Sequence, residues 1–337
     1  MMSNVLDIAV AIVFFNRPDT LNKVFESVRK ARPSTLFLIP DGPRENNQED
    51  AVKVRECRSI VSGVDWPCNV TEIYRQENRG VAHNIYSGIS EAFEKVEKLV
   101  IIEDDIVIDQ SFLPFCKELL DKYEHDERVF AITGMNHMVQ YDSCPYSYFF
   151  SDIGSCWGWA TWKRSWDKME FTGDFLEDDY AVGCFLNSSV RTKRLRSSII
   201  KESKKRRLLQ SQNKRVTGWA HQFMISQYMN SGWWIVPKVN LITNIGLSED
   251  SVHAASSLKL IPKKLQKVFY AKTIPLSFPL DHPKYIIGDR LYSDAVLSIL
   301  GEGWFQKASR RAESLFRFVL FSSWDQKKSK IKKALFH

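Results

Sequence analysis

Three short apolar runs constrain this chain more than any other feature: "IAVAIVFF" at residues 8–15, "TLFLIP" at 35–40 and "KLVII" at 98–102. Unbroken runs of this length, without polar alternation, form strands buried on both faces, as in sheets covered by helices on each side. The segments between them read as helices. "NRPDTLNKVFESVRKA" opens on Pro18 and Asp19 and places Leu21, Val24, Phe25 and Val28 on one face. "QEDAVKVRECRSIV" and "NRGVAHNIYSGISEAFEKV" are also helical and flank a strand near "NVTEIYRQ". Strands alternating with helices predict an α/β fold, with a Rossmann-like, mostly parallel central sheet flanked by helices and a ligand at the carboxyl ends of its strands. Asp41, Asn78 and the triplet Glu103, Asp104 and Asp105 fall at such ends and are expected to converge.

The triplet is the sharpest chemical signal. Adjacent carboxylates repel one another unless a cation, a proton or solvent relieves them. Here "VII" precedes them and "IVI" follows, so solvation alone is a poor answer. Hard divalent cations prefer oxygen ligands and complete their shell with phosphate and water, so Mn²⁺ or Mg²⁺ with a bound diphosphate suits the motif. A second triplet, Glu177, Asp178 and Asp179, follows no apolar strand, sits in a stretch compatible with one helix turn and is set aside as a site.

After Gln110 the pattern changes. A helix around Phe112 to Tyr123, a strand at "VFAITGMN", the aromatic stretch "YSYFFSDIGSCWGWATWKRSW", a helix from Trp219 and one strand "WWIVPKVNLITNIG" are expected. This divides one globule into a nucleotide-binding half (1–110), an acceptor-binding and catalytic half (111–260) and a C-terminal extension (261–337). Trp157, Trp159, Trp162 and Trp166 fall within ten residues. Indole faces stack on sugar C–H surfaces, and Gly158 allows close backbone approach, so Trp157 and Trp159 are expected nearest a sugar.

Charge is regional. The net charge is +7, yet residues 191–215 hold 11 Lys/Arg against Glu202, and residues 307–333 hold nine against Glu313 and Asp325. The first run suggests a solvated or mobile segment, or an anion-facing lid or membrane contact; the tail, with interleaved Phe and Trp, suggests either a core-packing helix with a solvated end or peripheral contact with an anionic membrane through 307–337. Neither carries the aromatic and glycine pattern of a nucleic-acid module, so no nucleic acid is expected. The six cysteines stand singly, without metal or disulfide spacing, and "DIAVAIVFF" is too short to span a bilayer. The expectation is a cytoplasmic protein, peripheral at the inner face of the membrane.

Several motifs in order resemble one family: "FFNRPDTL", "IPDGP", "NRGVAHNI", "VIIEDDIVIDQSFLPF", "WGWATWKRSW" and "VPKVNLITNIGLSEDSVH". Together, from about Ile8 to His253, they look like the GT-A-fold glycosyltransferases, especially the N-acetylglucosaminyltransferase I-like group and its bacterial relatives. The resemblance implies a metal-dependent, inverting transfer from a nucleoside diphosphate sugar, a UDP-sugar, to a hydroxyl of a glycan or lipid-linked glycan. It implies Asp105 as direct metal ligand, Glu103 and Asp104 on ribose, sugar or ligand waters, and Arg17 and Asp41 on the nucleotide, with Asp41 reading a base N–H. It places His83 near the uridine and His253 near the diphosphate or metal.

Related sequences carry Trp-Asp where this chain reads Trp219-Ala220-His221, so the expected catalytic carboxylate is missing. His221, whose imidazole titrates near neutrality, and Glu249 or Asp250 are the candidate bases. Ala220 also admits a non-catalytic sugar-nucleotide or glycan-binding protein of the same fold. A sugar nucleotidyltransferase fits less well, because "FFNRPDTL" lacks a glycine-rich phosphate loop.

Overall fold

The computed structural model describes residues 5–188, 193–212, 214–216, 218–247 and 266–300. The first half runs β1 (Leu6–Phe14), α1 (Pro18–Ala31), β2 (Pro33–Pro40), α2 (Gln48–Val61), β3 (Asn69–Glu72), α3 (Val81–Phe93) and β4 (Lys98–Glu103). The chain continues through β5 (Ile106–Ile108), α4 (Phe112–Lys122), β6 (Val129–Thr133), β7 (Tyr148–Ser151), β8 (Trp159–Trp162) and α5 (Lys163–Trp166). Next come α6 (Asp179–Ser188), α7 (Lys193–Ser211), α8 (Ala220–Met229), β9 (Trp233–Pro237), β10 (Ile242–Asn244) and α9 (Arg290–Leu300).

Eight strands form one sheet in the order β3-β2-β1-β4-β8-β6-β9-β7. Its apolar runs are covered on both faces. Along β1, Val10, Ile12 and Phe14 join the core beneath α1, while Ala11 and Val13 join the one that includes Ile85, Ile89 and Phe93 of α3. β4 divides in the same way, with Val100 and Ile102 on one side and Leu99 and Ile101 on the other. This period-two split is why neither strand carries a polar residue in its middle.

The block β3-β2-β1-β4 is parallel; beyond it β8 runs antiparallel to both β4 and β6, and β7 antiparallel to β9. The sheet is therefore mixed, and it continues without a break from the first half into the second. The stretch expected as a single strand, "WWIVPKVNLITNIG", splits: β9 stays in the main sheet and β10 pairs with β5 in a separate two-stranded ribbon. The Asn240 side chain holds the bend, with its Nδ2 donating to the Ile242 carbonyl at 2.6 Å and the Lys272 carbonyl at 3.1 Å. This ribbon explains the apolar return after the acids.

Much of the basic run is helix α7. Its Lys201, Lys204 and Lys205 face solvent, whereas Arg206 is buried, donating from Nε to the Phe171 carbonyl at 2.8 Å and lying over the Phe171 ring. Burial lowers the Arg206 pKa to about 10. The tail from 307 to 337 lies outside the described residues.

Candidate active site

Parallel pairing in register sets the site. Val13 stands opposite Glu103, and Phe14 opposite Pro40, so β1, β4 and β2 end side by side. The residues just past those ends, Arg17, the acid triplet and Asp41, line one cavity of about 660 Å³ together with Asn78 and Asn84. That volume lies within the roughly 300–1,000 Å³ of small-molecule sites.

The triplet is partly neutralised from within. Arg17 precedes Pro18, so its backbone is extended rather than helical (φ −122°, ψ 73°). Its side chain reaches from beyond the end of β1 to the acids at the end of neighbouring β4, with Nη1 3.1 Å from Asp105 Oδ2 and 3.5 Å from Asp104 Oδ1. Asp104 Oδ2 also accepts the Phe15 N–H at 3.1 Å. One guanidinium faces three carboxylates. Burial, then the neighbouring acids, raise the pKa values of Glu103 and Asp104; burial raises that of Asp105 against the pull of Arg17.

These residues fit a divalent cation. Positive charge is short by more than one unit if all three acids ionise, and Gly246 leaves the space that Asp105 occupies, since a Cβ there would collide with Asp105 Oδ2. Among the described residues no group of three His, Cys, Asp or Glu side chains forms a metal cage. A cation here would therefore draw further ligands from phosphate and water.

Asp41 lines the cavity with its carboxylate already engaged by the protein. It is 4% exposed. One oxygen accepts the N–H groups of Gly42 and Arg79, at 2.9 and 2.8 Å, and the other accepts Asn78 Nδ2 and the Gly80 N–H, at 2.9 and 2.8 Å. Both oxygens are filled, so a base N–H would have to displace a protein donor. Asp41 is thus a clasp joining the β2 end to the start of α3. Burial raises its pKa while those backbone donors and nearby Arg215 oppose the shift. Arg215 extends the clasp, donating from Nη1 and Nη2 to the Asn78 side chain and carbonyl, each at 2.9 Å.

The expected sugar-facing tryptophans divide. Trp157 is partly exposed in the cavity. Trp159 is 0% exposed, packed on Trp219 at 5.5 Å and Phe223 at 4.7 Å, and belongs to the core. Two of the expected histidines lie outside the cavity lining. His83 does not line the cavity; its ring meets the edge of Phe171 at 5.4 Å, and burial, then Arg206 and Arg79, lower its pKa. His221 does not line it either: its buried Nε2 has no partner, and burial lowers its pKa near Glu202 and Arg206 of α7. Glu249, Asp250 and His253 lie outside the described residues.

The structure adds residues that the sequence reading missed. Asn84 is 2% exposed, lines the cavity, and its Oδ1 has no hydrogen-bond partner. A polar residue among Ala82, Ile85 and Ile89 on the buried face of α3 was the available signal. Asn16, Asn244 and Phe269 line the same space, and Arg44 is held beside it by Asp50 through Nε and Nη2 at 2.5 and 2.8 Å.

Solved structures similar to this chain include a UDP-glucose pyrophosphorylase complexed with UDP-glucose, at 9% identity and a TM-score of 0.34, covering 69% of this chain and 91% of that one. Another is the inositol-1-phosphate CTP transferase from T. maritima, at 12% identity and a TM-score of 0.37, covering 78% and 96%. Likeness at these scores carries no inference about chemistry. No curated protein matches the chain. The sequence model of glycosyl transferase family 2 matches residues 9–185, more than half of the 337 residues and the stretch that supplies Arg17, Asp41, the acid triplet and Trp157. The chain belongs to glycosyl transferase family 2.

Proposed function

We propose that this protein transfers a hexosyl or N-acetylhexosaminyl group from a UDP-sugar to a hydroxyl of a glycan or lipid-linked glycan, with inversion, in the manner of the N-acetylglucosaminyltransferase I-like group. The observation that carries this is the meeting of Arg17 and the acid triplet in one cavity at adjacent parallel strand ends, within a family 2 chain. Asp105, with Asp104, would hold Mn²⁺ or Mg²⁺, and the cation when bound supplies positive charge for the departing diphosphate. Arg17 adds a guanidinium that can turn from the acids to phosphate oxygens. Asn84 offers an unpaired acceptor to the nucleotide, and the Asp41 clasp holds the start of α3, the helix that presents it.

In the transfer the anomeric C–O bond to diphosphate breaks, a bond to the acceptor oxygen forms, and a protein base takes the acceptor proton. Of the three candidate bases, His221 does not line the cavity, and Glu249 and Asp250 lie outside the described residues.

Calorimetry of UDP with and without Mn²⁺, on the natural protein and Asp105→Ala, tests the donor site. Binding that needs Mn²⁺ and fails in the variant supports it; binding indifferent to both sinks it. The placement of His221 and the alanine at 220 favour one second reading, a sugar-nucleotide-binding protein without transfer. Metal-dependent UDP binding with no UDP release from any UDP-sugar, with or without acceptor, would select it. No described helix is long and apolar enough to cross a membrane. Contact of 307–337 with anionic lipid is tested by deletion; unchanged vesicle recovery at low salt would refute it.

A further inference from the structure

Phe269 enters the cavity from a strap, residues 269–272, that lies beyond the family-matched stretch. The strap is bonded to the β10 side: Tyr270 N–H donates to the Asn244 carbonyl at 3.0 Å, Tyr270 Oη to the Ile245 carbonyl at 3.1 Å, and Thr243 Oγ1 to the Ala271 carbonyl at 2.8 Å. Asn244 and Ile245 immediately precede Gly246, which touches Asp105, so the strap is anchored beside the acids.

The Phe269 ring centroid lies 5.0 Å from that of Trp157, with the planes at 55°. Both rings are partly exposed and line the cavity. Each is followed by a residue in left-handed backbone, Gly158 at φ 57° and Tyr270 at φ 53°. Glycine adopts this at little cost, but tyrosine does not, and such strain persists where surrounding contacts enforce it. Trp157 also packs against the main core, whereas Phe269 belongs to none of the hydrophobic clusters of the described residues. A large ring is held in the cavity without serving the core.

We propose that Phe269 and Trp157 form an aromatic wedge for the C–H face of a hexopyranose ring, and that Phe269 is a specificity-determining residue. This rests on the nucleotide-sugar reading above, in which the diphosphate lies at the acids and the sugars beside them. The ring bound is that of the donor or of the acceptor. A pyranose presents a patch of C–H groups on one face and hydroxyls at its edge, which an aromatic face covers while leaving the edge to polar neighbours such as Asn244.

The test measures binding of UDP, UDP-glucose, UDP-galactose and UDP-N-acetylglucosamine with Mn²⁺, and of octyl glucoside, galactoside and N-acetylglucosaminide to the UDP–Mn²⁺ complex. The proteins are the natural one, Phe269→Ala and Phe269→Tyr. The expected result is UDP affinity unchanged within about twofold in both variants, and a loss of about tenfold in Phe269→Ala for either the UDP-hexoses or the alkyl glycosides, restored by Phe269→Tyr. Loss confined to UDP-hexoses assigns the wedge to the donor; loss confined to glycosides assigns it to the acceptor. If Phe269→Ala binds UDP normally and loses neither, the wedge is overturned while the donor site stands. If the natural protein binds no UDP, the donor site is overturned and the wedge with it.

Discussion

Asp105 and Gly246 share a space that has no room for a methyl group: a Cβ on residue 246 would collide with Asp105 Oδ2, while the Ile245 N–H donates to the Asp105 carbonyl at 2.8 Å. The chain leaving β10 therefore holds the acid in place. Gly246→Ala is expected to push the carboxylate aside and weaken Mn²⁺-dependent UDP binding about tenfold, with overpacking costing about 1–3 kcal/mol of stability. Calorimetry with thermal melts checks this; metal-dependent binding equal to the natural protein's refutes the contact's importance.

Arg17 is 15% exposed at its side chain and stands against Asp104 and Asp105. Arg17→Met would leave three part-buried carboxylates without this counter-charge, and the expected loss is roughly 1–3 kcal/mol in metal-free buffer. A divalent cation that occupies the acids should recover more stability in the variant than in the natural protein. Urea titrations with and without Mn²⁺ read both effects, and equal stabilisation by metal in the two proteins would contradict it.

Asn84 separates stability from binding. Its buried Oδ1 has no partner, so Asn84→Ala removes an unsatisfied acceptor from a helix interior. Stability should hold or rise by about 1 kcal/mol, while UDP affinity falls. A purely structural Asn84 would show the reverse, a lower melting temperature and intact affinity.

His137 makes the fold sensitive to acid. Burial alone lowers its pKa to about 4, below the 6.5 of an exposed histidine. Between those values the unfolded chain holds a proton that the folded chain refuses, so stability is complete above pH 6.5 and drains away as pH falls towards 4. The full difference is about 3 kcal/mol. In His137→Gln this part of the acid slope should vanish in urea titrations at pH 7, 6 and 5; an unchanged slope would place the acid sensitivity in other groups. His83, His221 and His282, whose pKa values burial also lowers, act with the same sign.

The sequence by itself determined the parallel block and the line-up of functional groups at its strand ends. Those features follow from local periodicity: unbroken apolar runs must be covered on both faces, and parallel neighbours in register end together. The carboxylates at 103–105 were legible for the same reason, as charge placed where a buried strand stops. Tertiary structure decided the partners. Arg17 meets Asp105 across 88 positions of chain, and Arg215 meets Asn78 across 137. No local pattern records such distances. It also decided that Asp41 spends its oxygens on neighbouring loops, that Trp159 is core while Trp157 faces the cavity, and that His83 and His221 lie outside the cavity lining. Phe269 was invisible in the sequence because its position depends on a strap bonded to β10. An aromatic residue reads the same whether its ring fills a core or faces a ligand, and only the packing around it separates the two.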